Sequence, residues 1–331
     1  MIFGEVPIAK AEGAILAHSV ALPKGRLRKG QVLAAVDIDA LRDAGISAVT
    51  VARLGPDDLA EDPAAAQLAQ ALAGPGLRVG QAATGRANLF ARAAGIVSVD
   101  RTAIDAFNAV NPMITVATLP PFQRVTEGAM VATIKIISYA VPAADVQLAA
   151  DRGAEAISLS EPVVKNATLI ETRIGDMPAI KGRSALRTRL DRLGVDLDGR
   201  VVVDHDTATL GAAIAAAAGD IVFVLTASAT SDIDDVGPAA LRQAGGVVTQ
   251  FGMPVDPGNL LFLGRVGDRP VIGLPGCARS PALNGADWVL ERVICGVDLQ
   301  AADFAAMGVG GLLKEMPTRP RPRAKTRDDS V

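Results

Sequence analysis

At 331 residues the chain holds about two domains' worth of sequence; half of it is apolar but only 3% is aromatic, so its cores must be aliphatic. A net charge of −3 excludes attraction of nucleic acid by the whole molecule. Cys277 and Cys295 are too few for a disulfide framework, and with only His18 and His205 a zinc site of several histidines is excluded.

Residues 1–10 lack a basic stretch followed by an apolar one, so no signal peptide is expected. The Ala-rich stretch 211–229 is interrupted by Asp220 and is too weakly hydrophobic to span a membrane. The expectation is a cytoplasmic protein with no membrane contact.

Residues 1–74 read as a small α/β unit. Lys29-Gly30-Gln31-Val32-Leu33 has the pattern of a turn and strand. In 37–44, Ile38, Leu41 and Ala44 lie at helical spacing, with Asp37 at the N-cap and Gly45 as the stop. Residues 46–51 alternate as a strand, and an Ala- and Leu-rich helix over 56–73 ends at Gly74-Pro75-Gly76. Residues 75–159 form a β-rich middle region. It holds an amphipathic helix near 102–111 and strand-like stretches at 114–119 and 130–141. No internal repeat is visible.

From about residue 160 the pattern turns regular. Strands are predicted at 163–174, 200–203, 220–225 and 247–251, with a hairpin across 260–265 and 270–274. Helices are predicted at 183–193, 207–218, 238–244 and 281–294, the first with Leu186, Leu190 and Leu193 on one face. This alternation argues for an α/β domain over 160–316: a mostly parallel sheet with helices on both faces. The proline- and charge-rich residues 317–331 read as a disordered tail.

In such sheets ligands lie beyond the carboxyl ends of the strands, where three loops fall. Loop one, 175–183, carries Asp176, Lys181, Gly182 and Arg183. Loop two, 226–237, carries Thr226, Ser228, Thr230, Ser231, Asp232, Asp234 and Asp235. Loop three is Gly273-Leu274-Pro275-Gly276-Cys277-Ala278-Arg279-Ser280, with Pro281 placed for N1 of the next helix. Loops two and three each feed a helix N-terminus, which favours an anion. Lys181, Arg183 and Arg279 would add charge-assisted bonds to phosphate. The acidic cluster suits Mg²⁺, which takes few carboxylates plus substrate oxygens. Plain turn chemistry yields the same loop composition; for the acidic cluster a solvated turn, and for Lys181 and Arg183 plain surface charge, are the commoner readings from the residues alone. His205, between Asp204 and Asp206, lacks a nucleophile motif beside it; Cys277 suits a tight turn and Cys295 an apolar core. Physics alone stops at an anion-binding α/β domain.

The loop series resembles the molybdenum-cofactor biosynthesis domain, shared by molybdopterin adenylyltransferases and molybdotransferases. Thr226 falls on the Thr of that family's Thr-Gly-Gly-Thr-Gly, and Asp235-Val236-Gly237-Pro238 matches its Asp-Val-x-Pro. Pro257-Gly258 followed by Gly273-Leu274-Pro275-Gly276 is similar to the molybdotransferase branch, as is 27–51, and the strand 201–203 followed by Asp206 resembles the family's segment ending in a double Asp. The resemblance spans about 160–297. It implies molybdopterin as the ligand, held by Thr226, Ser228, Thr230, Gly273, Pro275, Gly276, Arg279, Ser280, Lys181 and Arg183. It further implies Asp235, with Asp232 and Asp234, as catalytic carboxylates, Asp235 and Asp234 holding Mg²⁺. The implied chemistry is adenylyl transfer from ATP, or molybdate insertion with loss of AMP.

Three departures qualify this. The family's paired glycines are Ala227-Ser228 here, its Asn-Pro after Gly-Leu-Pro-Gly is Cys277-Ala278, and its Asp-Ser/Thr-Asn is replaced by Ile180-Lys181-Gly182. Each added Cβ limits backbone approach to a ligand. The alternative is therefore a non-catalytic carrier that hands cofactor to a nucleotidyltransferase or molybdoenzyme partner. Dimers or trimers of the chain are a family tendency that the sequence leaves open.

Overall fold

Aliphatic side chains close the cores, as the composition requires. The computed structural model describes residues 1–176 and 182–313. Two compact units divide the chain, the first Met1–Ser160 and the second beginning at Glu161. Lys181 and the expected tail at 317–331 lie outside the described residues.

The first unit opens with β1 (Ile2–Pro7), β2 (Ile15–Leu16), β3 (Val20–Ala21), β4 (Arg26–Leu27), α1 (Ala35–Asp43) and β5 (Ala48–Arg53). A three-stranded sheet, β1-β5-β2, and α1 share a core of Leu16, Leu33, Leu41 and Val51. Helix α1 begins two residues before the predicted start. Ala34 is the N-cap, and Asp37 at N3 accepts from the Ala34 amide at 2.9 Å. A carboxylate can serve a helix start from either position, and spacing alone does not separate them.

The same unit continues through β6 (Asp58–Ala60), α2 (Glu61–Leu72), β7 (Leu77–Val79), β8 (Arg86–Ala91), β9 (Gly95–Val99) and α3 (Arg101–Asn108). It ends with β10 (Ile114–Thr118), β11 (Arg124–Val125), β12 (Met130–Ile136), β13 (Ala140–Pro142), α4 (Ala143–Arg152) and β14 (Ile157–Ser160). Sheets β10-β12-β8-β7 and β11-β9-β14 pack with α2, α3 and α4 around Leu68, Leu89, Phe107 and Ile134. Helix α2 starts later than its periodicity suggests because residues 58–60 pair with β13 instead.

The second unit comprises β15 (Asn166–Arg173), α5 (Arg183–Asp191), β16 (Asp196–Asp204), α6 (Thr207–Ala216), β17 (Ile221–Leu225), α7 (Val236–Gln243), β18 (Val247–Phe251), β19 (Phe262–Val266), β20 (Arg269–Gly273), α8 (Gly285–Ile294) and α9 (Ala301–Ala306). Its sheet order is β16-β15-β17-β20-β19-β18. The first three pairings are parallel and the last two antiparallel, so the sheet is mixed. Ile170, Val222, Val224 and Val271 meet Leu210 and Ile214 of α6 and Ala240 and Leu241 of α7. All five residues of β17 are buried, so both of its faces are covered. Among the described residues no helix is long and apolar enough to cross a membrane.

Candidate functional site

The parallel strands β16, β15, β17 and β20 are neighbours, so their carboxyl ends bring the predicted loops to one end of the sheet. Loop two is tied largely to itself. The buried Thr226 hydroxyl donates to the Ser228 carbonyl at 2.7 Å and lies 3.2 Å from the Thr230 hydroxyl. Ser228 itself is exposed. The Ala227 amide, at the position of the family's first paired glycine, donates to Thr172 Oγ1 at 2.7 Å and is therefore occupied.

The acidic residues have local partners too. Asp235 is the N-cap of α7, accepting from the Val236 amide at 2.7 Å and the Ser231 amide at 3.1 Å. Asp234 pairs with Arg242 at 2.7 Å, and Asp232 accepts from the Asp234 amide at 2.8 Å. Among the described residues no group of three or more His, Cys, Asp or Glu gathers as a metal site. The expected Mg²⁺ ligands thus do not fit a cation site as they stand: each carboxylate serves a turn, a cap or an arginine.

Loop three is shaped by packing. A Cβ on Gly273 would overlap the Phe262 ring, so glycine here lets β20 close on its own core neighbour. Pro275 is buried, and Gly276–Arg279 form a 3-10 turn with Gly276 exposed. The spacing predicts α8 from residue 281, with Pro281 at N1. The helix starts instead at Gly285, where Asn284 caps the Ala286 amide at 3.0 Å. Ser280, exposed, lies before that gap, its Oγ accepting from the Ala282 amide at 3.2 Å.

What holds the intervening segment is Arg189, which the sequence did not single out. It is 5% exposed and donates to the carbonyls of Ala278 (2.9 Å), Ser280 (2.9 Å) and Ala282 (3.1 Å). Its Nε pairs with buried Asp287 at 2.6 Å. A charged pair in such a place survives only when nearly every donor is answered, and here the loop's carbonyls answer them.

Arg279 links the two loops: its Nη2 donates to the Thr226 carbonyl at 2.6 Å. Burial lowers the Arg279 pKa from its ordinary value, and the negative charge of Glu171 works against that shift. In loop one, Arg183 donates to the carbonyls of Gly199 (3.0 Å) and Leu197 (2.9 Å) of β16. Gly182 sits so close to Leu225 that a Cβ would overlap it.

Strand β15 itself adds residues that loop composition missed. Glu171, 1% exposed, accepts from Arg200 Nε at 2.5 Å, and Thr172 Oγ1 lies 2.9 Å from His205 Nδ1. Because the Ala227 amide can only donate to Thr172, the Thr172 hydroxyl proton is available to His205 Nδ1. A Glu directly after Leu169-Ile170 within a predicted strand was the available signal. Beside them Asp206 caps α6, and bonds from the Thr209 hydroxyl and amide hold its carboxyl below the usual range. Burial pushes the Cys277 thiol up.

A cleft of about 670 Å³ lies at the amino end of the same strands, lined in part by Val163, Asp220, Arg265, Pro270 and Gln300. Its Asp220 carboxylate accepts from the Lys165 and Asn166 amides, at 2.8 and 3.2 Å, which makes it a structural tie.

Comparison with known proteins adds a family match over a small part of the chain: a domain of unknown function (DUF8806) over residues 5–53. No curated protein matches. Structural neighbours are two structures of molybdopterin biosynthesis MoeA protein from Pyrococcus horikoshii. One is 18% identical, covering 90% of this chain and 76% of that one, with a TM-score of 0.29. The other is 11% identical, covering 82% and 69%, with a TM-score of 0.19.

Proposed function

We propose that this protein binds molybdopterin within molybdenum-cofactor biosynthesis, with the pterin's phosphate at the carboxyl ends of β15, β17 and β20. The observation that supports this is the Arg279 bridge. The Gly-Leu-Pro-Gly loop and the Thr226 to Pro238 loop, whose motifs resemble that family, lie on neighbouring strands and are tied by Arg279 Nη2 to the Thr226 carbonyl. Arg279 Nη1 has no described acceptor, so that one nitrogen of its guanidinium is open to an oxyanion.

Between transferase and carrier, the hydrogen bonds of loop two favour the carrier. With Asp232, Asp234 and Asp235 each engaged by an amide or an arginine, loop two supplies structure before it supplies metal ligands. Turnover of an adenylylated pterin, with ATP or AMP chemistry and molybdate as co-substrate, would require that loop to reopen. A carrier would require a nucleotidyltransferase or molybdoenzyme to receive the cofactor.

The test is co-elution. Purified protein is incubated with molybdopterin, passed through gel filtration and assayed for the fluorescent oxidised pterin. The expected result is pterin with wild type and with Asp235→Asn, and much less with Arg279→Gln. Wild type without pterin, beside a binding control, overturns the proposal. Incubation with adenylylated molybdopterin and molybdate then separates the two activities: AMP release marks a transferase, and none beside a working control enzyme marks a carrier.

A further inference from the structure

The carboxyl half of β15 carries a charge cluster that the loop motifs do not include. Glu171 lies opposite Leu225 of β17, and Arg200 of β16 lies opposite Leu169, two residues before Glu171. Side chains two apart share a sheet face, so Glu171, Arg200 and Leu225 are on one face. A Cβ on Gly182 would meet Leu225 and come within 3.5 Å of Arg279 Cγ, which places the start of α5 and Arg279 there as well. Arg183 then reaches the carbonyl of Gly199, next to Arg200. Arg200 pairs with Glu171 and Arg279 feels its charge, two guanidinium groups near one buried carboxylate, while Arg183 binds the β16 backbone nearer the start of that strand. Farther along the face, Asp204 is already paired with Arg173 at 3.0 Å.

Only one of the three arginines has a whole end to offer. Both terminal nitrogens of Arg183 donate to backbone carbonyls, and Arg279 donates through Nη2. Arg200 is held through Nε alone, its side chain is 44% exposed, and no described residue accepts from its Nη1 or Nη2. Glu171 Oε1, by contrast, is sealed from solvent and without a hydrogen-bond partner, so Glu171 acts by gripping Arg200 and not by meeting a ligand. A guanidinium fixed at Nε presents its Nη pair in one direction, the geometry for two parallel bonds to a phosphate. Helix α5 adds to the field, since Gly182 gives its first turn no side-chain cap.

We propose that Arg200 recognises a terminal phosphate group, a phosphomonoester or the end of a diphosphate, and that Glu171 is its positioning residue. The inference rests on the reading that a phosphorylated ligand binds at this end of the sheet. The full chain is titrated with inorganic pyrophosphate and with inorganic phosphate by calorimetry, with Trp288 fluorescence as the check on folding. Wild type is expected to bind pyrophosphate, and Arg200→Gln to bind it about tenfold more weakly or worse. Arg200→Lys, which keeps the charge and loses the fork, stays weak. Glu171→Gln weakens binding, and adding it to Arg200→Gln brings no further loss, because Glu171 acts only through Arg200.

Wild type that ignores pyrophosphate overturns the inference, as does Arg200→Gln that binds like wild type. Additive losses in the double variant overturn the positioning role of Glu171. Failure of the underlying reading looks different. If molybdopterin co-elutes equally with wild type and Arg200→Gln, the pterin reading stands and this one falls. If pyrophosphate binding depends on Arg200 and no pterin co-elutes, the phosphate site stands and the pterin reading falls.

Discussion

Replacing Arg189 with Met tests whether a single side chain organises loop three. The guanidinium is buried against Asp287, with contacts of 2.6 and 3.4 Å, and answers the carbonyls of Ala278, Ser280 and Ala282. Removing one partner of a buried ion pair costs about 3–5 kcal/mol, because the other charge stays behind. The carbonyls of Ser280 and Ala282 belong to exposed residues and regain water, so only that of buried Ala278 adds, by about 1 kcal/mol. The expected loss is therefore about 4–6 kcal/mol, a large part of the roughly 5–15 kcal/mol typical of a folded domain. Trp288 is the sole tryptophan and follows Asp287 on α8, so its fluorescence in a urea titration reports on this unit alone. The double variant Arg189→Met with Asp287→Leu removes both charges and should return to within about 2 kcal/mol of wild type. A single variant that loses less than about 1 kcal/mol in a cooperative transition would refute the reasoning.

Gly273→Ala drives a methyl into the Phe262 ring and should cost about 1–3 kcal/mol, with Phe262→Leu in the same chain recovering part of it; no recovery means the ring is not the obstacle. Amide bonds from Lys165 and Asn166 hold Asp220 below the ordinary carboxyl value of 3.8, so its folded pKa lies under its unfolded one. That contribution to stability is present above about pH 4 and is lost as pH falls through the folded value, so Asp220→Asn should flatten that limb of the acid-unfolding curve. An acid limb unchanged by the substitution counts against it. Burial raises the Cys277 thiol and Cys295 is buried, so DTNB near neutral pH should react slowly with folded protein and promptly with both thiols in urea. One rapid equivalent from folded protein would contradict that burial.

Periodicity was most informative where apolar side chains set the pattern. Leu186 and Leu190 show their burial in their spacing, and β18 spans the predicted residues 247–251. Starts and ends were less legible, because the groups that decide them are interchangeable on paper. Asp37 acts from N3, and the cap of α8 is Asn284, since the loop carbonyls held by Arg189 keep 280–284 out of the helix. Helix α4 escaped notice because its buried stripe is Val146, Ala149 and Ala150, too weakly apolar to stand out from its Ala-rich surroundings. At the candidate site, loop composition pointed to the carboxyl end of the sheet. It could not show that Asp235 would cap α7 or that Gly273 would answer to Phe262, since both depend on contacts distant in sequence or on local dihedrals. Glu171 and Arg200 are 29 residues apart and meet only because β15 and β16 are parallel neighbours.

Strand β16 is the last strand of its sheet, nine residues long, with Val201 and Val202 exposed. Such a border invites other chains to stack on it. Here aspartates stand at 196, 198 and 204, and the guanidinium of Arg183 already occupies the carbonyls of Leu197 and Gly199. An approaching strand would meet like charges and filled acceptors. Arg183 therefore also protects solubility, and a chain lacking it would expose a sticky border long before it lost its fold.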